Sequence, residues 1–128
     1  MRRVVYEYAL LRAQPSQLRG EQANIGVLLY CQDRDLLTLR LHLDEQRLRL
    51  MAPDLDLAAL AQAARGVQRS CEGHGPAAEL TPGQRFRWLT APRSTVLQAG
   101  PVHSGLTADP VAEADRLLDE LVRLATPG

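Results

Sequence analysis

Two apolar runs separated by four turn residues set the tightest constraint on what this chain can fold into. Asn24 to Cys31 (NIGVLLYC) is almost continuously apolar, the pattern of a strand covered on both faces, so it belongs in the interior of a sheet. Leu36 to Leu43 (LLTLRLHL) alternates strictly, with Leu37, Leu39, Leu41 and Leu43 on one face and Thr38, Arg40 and His42 on the other. Gln32-Asp33-Arg34-Asp35 supplies turn residues between them, and the two runs predict an antiparallel hairpin.

The rest of the chain supplies what such a hairpin needs beside and above it. Val4 to Arg12 (VVYEYALLR) is β-branched and aromatic at its start and has no breaker, which reads as a strand ended by Gln14-Pro15-Ser16. Asp44-Glu45-Gln46 opens a short helical turn that Pro53 ends. Asp54 or Asp56 then caps a helix in which Leu57, Leu60, Ala61, Ala64, Val67 and Cys71 recur at three- and four-residue spacing. Gly73 to Leu80 is rich in small residues and is expected to be an exposed loop with local mobility. Thr81-Pro82-Gly83-Gln84 has the hydroxyl, proline and glutamine of a capping box, and the helix it opens runs through Leu89, with Trp88 expected to plug the core. Ser94 to Gln98 is a plausible fourth strand, Gly100-Pro101 a break, and Val102 to Gly105 a further extended piece. Asp109-Pro110 repeats the cap-plus-proline pattern, and Ala114, Leu117, Leu118, Leu121 and Ala125 form the stripe of a closing helix.

The expected fold class is therefore α+β: an antiparallel-dominated sheet of four or five strands, with two main helices, about Asp54 to Cys71 and the C-terminal one, packed on it. At 128 residues and 45% hydrophobic content the chain, 1–128, is expected to form a single domain.

Charge balances at fifteen basic against fifteen acidic residues, which argues against the basic footprint of a dedicated nucleic-acid binder. All fifteen basic residues are Arg, while Asn24 and Ile25 are the only Asn and Ile, the signature of a GC-rich genome. Arginine runs are accordingly weak evidence for a need of guanidinium chemistry. Cys31 and Cys71 lie in apolar patterns without a CxxC, and are read as reduced, buried small side chains. No run approaches the roughly 18 apolar residues of a membrane span, and a cytoplasmic location is expected.

GxxxxGK[ST], GxGxxG, HExxH, GxSxG and paired CxxC are all missing, so an enzyme is not the default, and neither a metal nor a cofactor is expected. His42 should face outward from a strand and His74 sits among glycines, so the histidines do not read as a ligand cluster. Two groups could still carry chemistry. In the first, Arg93, Ser94, Thr95 and His103 could together hold a phosphate or carboxylate, or else satisfy backbone groups and a carboxylate partner within a hairpin. In the second, Glu21 and Asn24 lead into the central strand and either contact a ligand or satisfy loop backbone, with Gly26 permitting close packing. The guanidinium of Arg93 keeps its charge, so it must reach solvent, pair with a carboxylate such as Glu21 or Glu7, or await an anion. Arg85, Arg87 and Arg93 interleave with Phe86 and Trp88 in a way that could stack single-stranded bases, but positions two apart on a helix point in different directions.

The segments YEYALLR (Tyr6 to Arg12), EQANIGVLLYC (Glu21 to Cys31) and RFRWLTAPRSTVLQAGPVHSGL (Arg85 to Leu106), in that order and spacing, resemble a bacterial family catalogued as domain of unknown function 3037. The resemblance implies small stand-alone proteins often encoded beside HipA-like kinases, and brings no established catalytic residue. It places Glu21, Asn24, Arg93, Ser94, Thr95 and His103 in the family's characteristic segments. The functional expectation is a non-enzymatic interaction or accessory module, with a HipA-like kinase as partner, a homo-oligomer left open, and neither membrane nor nucleic acid as partner. The rival is an enzyme or binding domain for a phosphate- or carboxylate-bearing small molecule or nucleotide. There Arg93 would clamp the anion, Ser94 and Thr95 would donate to it, His103 would act as acid or base, and Glu21 and Asn24 would orient substrate or a metal.

Overall fold

The computed structural model describes residues 2–16, 18–93 and 95–123. Its order of elements is β1 (Val4–Ala13), β2 (Ala23–Cys31), β3 (Leu36–Leu41), α1 (Glu45–Met51), α2 (Leu57–Cys71), α3 (Pro82–Thr90), β4 (Leu97–Ala99), β5 (His103–Thr107) and α4 (Pro110–Leu118), which runs on into a π-helical turn, Asp119–Arg123. The class is α+β, with every pairing in the sheet antiparallel. The hairpin forms as its pattern predicts: β2 and β3 pair from Gly26 with Leu41 to Cys31 with Leu36. Asp35 closes the turn with positive φ (48°), its N–H donating to the Gln32 carbonyl at 3.1 Å.

β1 carries the sheet. Along one side it pairs with β2, and along the other first with β5, at Val4 to Tyr8, and then with β4, at Leu11 to Ala13. β4 and β5 are thus two halves of one edge, parted at Gly100-Pro101, where proline has no N–H for the ladder. Between β1 and β2 the register slips: Leu11 opposes Gly26 but Arg12 opposes Asn24, leaving Ile25 as an extra residue. This bulge changes the side-chain phase of β2. Ala23, Ile25 and Leu28 all enter the core under α1, α2 and α3, while Val27, Leu29 and Cys31 enter the core under α4.

Both faces of the sheet are therefore covered. On the first, Leu11, Ile25, Leu28 and Leu39 meet Leu48 of α1, Leu60 of α2 and Phe86 of α3. On the second, Val4, Tyr6, Val27 and Leu29 meet Ala114, Leu117 and Leu118 of α4 and Val122 of the π turn. Each helix begins where its sequence says it should. Asp44, Asp56 and Asp109 accept from the backbone N–H groups of Arg47, Ala59 and Ala112, and Thr81 with Gln84 forms a full reciprocal capping box.

The segment from Gly73 to Leu80 is a largely exposed loop, with a single 3-10 turn, Gly75–Ala77, that buries Ala77. Two expectations shift. β4 is shorter and later than expected. Thr95 Oγ1 donates to the Leu97 carbonyl and Gln98 Nε2 to the Thr95 carbonyl, local bonds that compete with extended pairing and hold residues 95–96 in a bend. Trp88 does not plug the core. Phe86 and Leu89, three apart, share the inward face of α3, and Trp88 is turned outward. Ala125 lies outside the described residues. Among the described residues, no helix is long and apolar enough to cross a membrane.

The close approach of β3 leaves no room for a side chain at position 26, where a Cβ would stand 2.8 Å from the Arg40 carbonyl oxygen and 2.9 Å from Leu41 Cδ2. Gly26→Ala should therefore lower the unfolding free energy by about 1–3 kcal/mol in urea titration. A loss below about 0.5 kcal/mol would show that β2 and β3 are not packed this closely.

Candidate functional site

Pro92 stops α3 and holds Ala91 extended (φ −66°, ψ 146°), so the chain turns back across the end of the helix at Arg93. The Arg93 guanidinium lies over the Trp88 ring, 4.5 Å from its centroid, and donates to the Trp88 carbonyl, one of the last-turn acceptors that the helix leaves open. Beside this pair a groove of about 220 Å³ opens between α2, α3 and β4, with Leu11, Leu89 and Leu97 as its floor, Val67 as one wall and Trp88 as another. Ser70, Thr95 and Arg93 are its polar side chains. Arg93 forms no ion pair among the described residues: Glu7 is taken by Arg87 at 2.9 Å, and Glu21 by Arg19.

The residues singled out from sequence divide among separate places. Arg93 and Thr95 line the groove, and Ser94 lies outside the described residues. Asn24 is on the α4 side of the sheet, where its Oδ1 accepts from Arg12 Nε and its Nδ2 donates to the Leu121 carbonyl, both at 3.2 Å. That carbonyl belongs to the π turn, so Asn24 ties the π turn to the bulge. Glu21 is exposed in the loop before β2. His103 is exposed on β5 with its ring 5.2 Å from that of Tyr8.

A second cluster was not anticipated. Tyr6 donates to Glu113 at 2.5 Å, and Glu113 also accepts two 2.7 Å bonds from Arg116, which pairs in turn with Glu120 at 2.9 Å. Its sequence trace was Tyr6 and Tyr8 on one face of a strand, and Glu113 with Arg116 at i,i+3 on a helix. With three donors on one carboxylate, the cluster braces α4 over β1. The Arg116 bonds hold the Glu113 carboxyl below its ordinary range against the opposing effect of burial, with the Tyr6 hydroxyl adding to them. Burial, then Glu113, pushes the Tyr6 hydroxyl up to about 12. Burial likewise pushes the Cys71 thiol up to about 12, and both cysteines are free and buried. Among the described residues, no group of three or more His, Cys, Asp or Glu side chains could hold a metal ion.

A family model described as a protein of unknown function, DUF3037, matches residues 8–122. The chain belongs to the DUF3037 family. No curated protein and no solved structure matches it. The matched stretch of this DUF3037 chain takes in the groove, the bulge and the π turn as far as Val122, and leaves out Tyr6.

What the groove offers a ligand is apolar surface, two hydroxyls, an indole and a guanidinium: groups that recognise, held in place by backbone and packing. Arg93→Ala should change stability by less than about 1 kcal/mol, the scale of an exposed cation–π contact, while shifting the emission of Trp88, the only tryptophan. A larger loss would make Arg93 a structural member of the fold. The brace predicts pH dependence in both directions. Glu113, with its folded pKa depressed, contributes stability above its ordinary 4.5 that is lost as pH falls through the folded value. Tyr6, raised from 10.0, contributes stability that is complete below pH 10.0 and lost as pH rises toward 12. Urea midpoints measured against pH should lose part of the acid limb in Glu113→Gln and part of the alkaline limb in Tyr6→Phe.

Proposed function

We propose that this protein is a non-enzymatic interaction module that docks a partner protein in the groove between α2, α3 and β4, and that a HipA-like kinase encoded nearby is that partner. The observation that carries the reading is Trp88: a large aromatic 37% exposed, fixed in orientation by Arg93, at the lip of a preformed apolar recess. Tryptophan and arginine beside a recess are the side chains that dominate interface energies. The volume, about 220 Å³, is below the ~300–1,000 Å³ of small-molecule pockets and is suited to one or two side chains of a partner.

The rival, a site for a phosphate- or carboxylate-bearing small molecule or nucleotide, draws support from Arg93 having no carboxylate partner among the described residues. Its acid–base and orienting groups, His103, Glu21 and Asn24, stand outside the groove. A rise in melting temperature with phosphate, lost in Arg93→Ala, would favour it.

Co-expression with the neighbouring kinase tests the docking role. Trp88→Ala should weaken capture by about 2 kcal/mol or more, roughly 30-fold, in a chain that still folds, while Leu106→Ala on β5 should leave capture intact. Equal capture by Trp88→Ala, or no complex at micromolar concentration, would overturn it.

A further inference from the structure

Gly66 of α2 borders the groove and also the exposed outer face of the same helix, where Arg65, Gln68, Arg69 and Glu72 lie. Arg65, Arg69 and Arg93 form no ion pair among the described residues. Glu72 is the one carboxylate among the residues lining the groove and this outer face. Arg93 thus stands at the apolar floor itself, and Arg65 and Arg69 lie across Gly66 from it on the outer face of α2.

Gly66 is the second observation. It sits in the interior of a fifteen-residue helix, where glycine is less favourable than alanine, and a Cβ placed on it would meet nothing within 4 Å. Nothing in the fold itself calls for the missing side chain. Its absence keeps the passage between groove and outer face open, so that a backbone lying across α2 can come close.

From these features we infer that the occupant is an acidic, leucine-like segment of a protein. One aliphatic side chain would rest on Leu11, Leu89 and Leu97, carboxylates on either side of it would meet Arg93 and the Arg65 and Arg69 pair, and the segment's backbone would cross α2 at Gly66. This rests on the docking role of the groove and adds the chemistry of what docks. The charges set orientation and the rate of encounter, and the apolar anchor supplies affinity.

Fluorescence of Trp88 in the full chain reads the test. Three peptides of equal length are titrated, one alternating Leu with Glu, one Leu with Lys, and one Ser with Glu. The Leu/Glu peptide should shift the emission saturably and bind at least about tenfold more tightly than either other, with affinity falling as salt rises. Arg93→Glu should erase or reverse the preference over Leu/Lys. Gly66→Ala should raise the melting temperature by about 2–4 °C, because it improves the helix, while Gly66→Gln should weaken the Leu/Glu peptide at least about tenfold without lowering the melting temperature. Equal binding of Leu/Lys and Leu/Glu, or unaltered binding in a folded Gly66→Gln, overturns the inference. If kinase capture depends on Trp88 while the peptides show no charge preference, the acidic occupant is wrong and the docking role stands.

Discussion

The fold depends on one irregularity in the pairing of β1 with β2, the extra residue Ile25 opposite Leu11. A regular β2 would send Ile25 and Leu28 to opposite faces. With the bulge, both fill the core under α1 to α3, and the next-door residues Val27 and Leu29 fill the core under α4. The same irregularity turns Asn24 toward the α4 side, where it bonds Arg12 and the Leu121 carbonyl. One local slip thereby sets the composition of both cores and the seat of the C-terminal turn, and beside it Gly26 lets β3 pack close on β2.

The groove is a consequence of how the other edge of β1 is built. β4 is three residues long, held short by the side-chain bonds of Thr95 and Gln98, so the sheet stops early beneath α2 and α3. Leu11, Leu89 and Leu97 line the resulting recess. The chain crosses its mouth after Pro92, laying Arg93 on Trp88. A short strand, a proline stop and an outward tryptophan make a recess whose side chains suit recognition. The Tyr6, Glu113 and Arg116 group on the far face satisfies itself internally and serves to hold α4.

Much of this was legible in the sequence because periodicity and caps act locally. The hairpin registered through Leu37, Leu39 and Leu41, and each helix start through an Asp or the Thr81 box. Trp88 departs from the expected core plug because Leu89 is three residues from Phe86, and those two define the inner face of α3. Asn24 stands out in the sequence by its rarity, but its partners, Arg12 and Leu121, are 12 and 97 residues away and depend on a bulge that leaves no local mark. The groove was invisible for the same reason, since it joins β1, α2, α3 and β4. Arg93 was noticed for its charge, while its seat on Trp88 follows from the Pro92 stop.

The most direct test of the account is nuclear magnetic resonance of the isotope-labelled chain titrated with the alternating Leu/Glu peptide. The account predicts saturable shifts confined to Ala63 through Ser70, the indole N–H of Trp88, the Arg93 guanidinium and Leu97 through Ala99, with Tyr8 and His103 undisturbed. Shifts centred on Tyr8, His103 and β5, or none in the groove at saturating peptide, would contradict it.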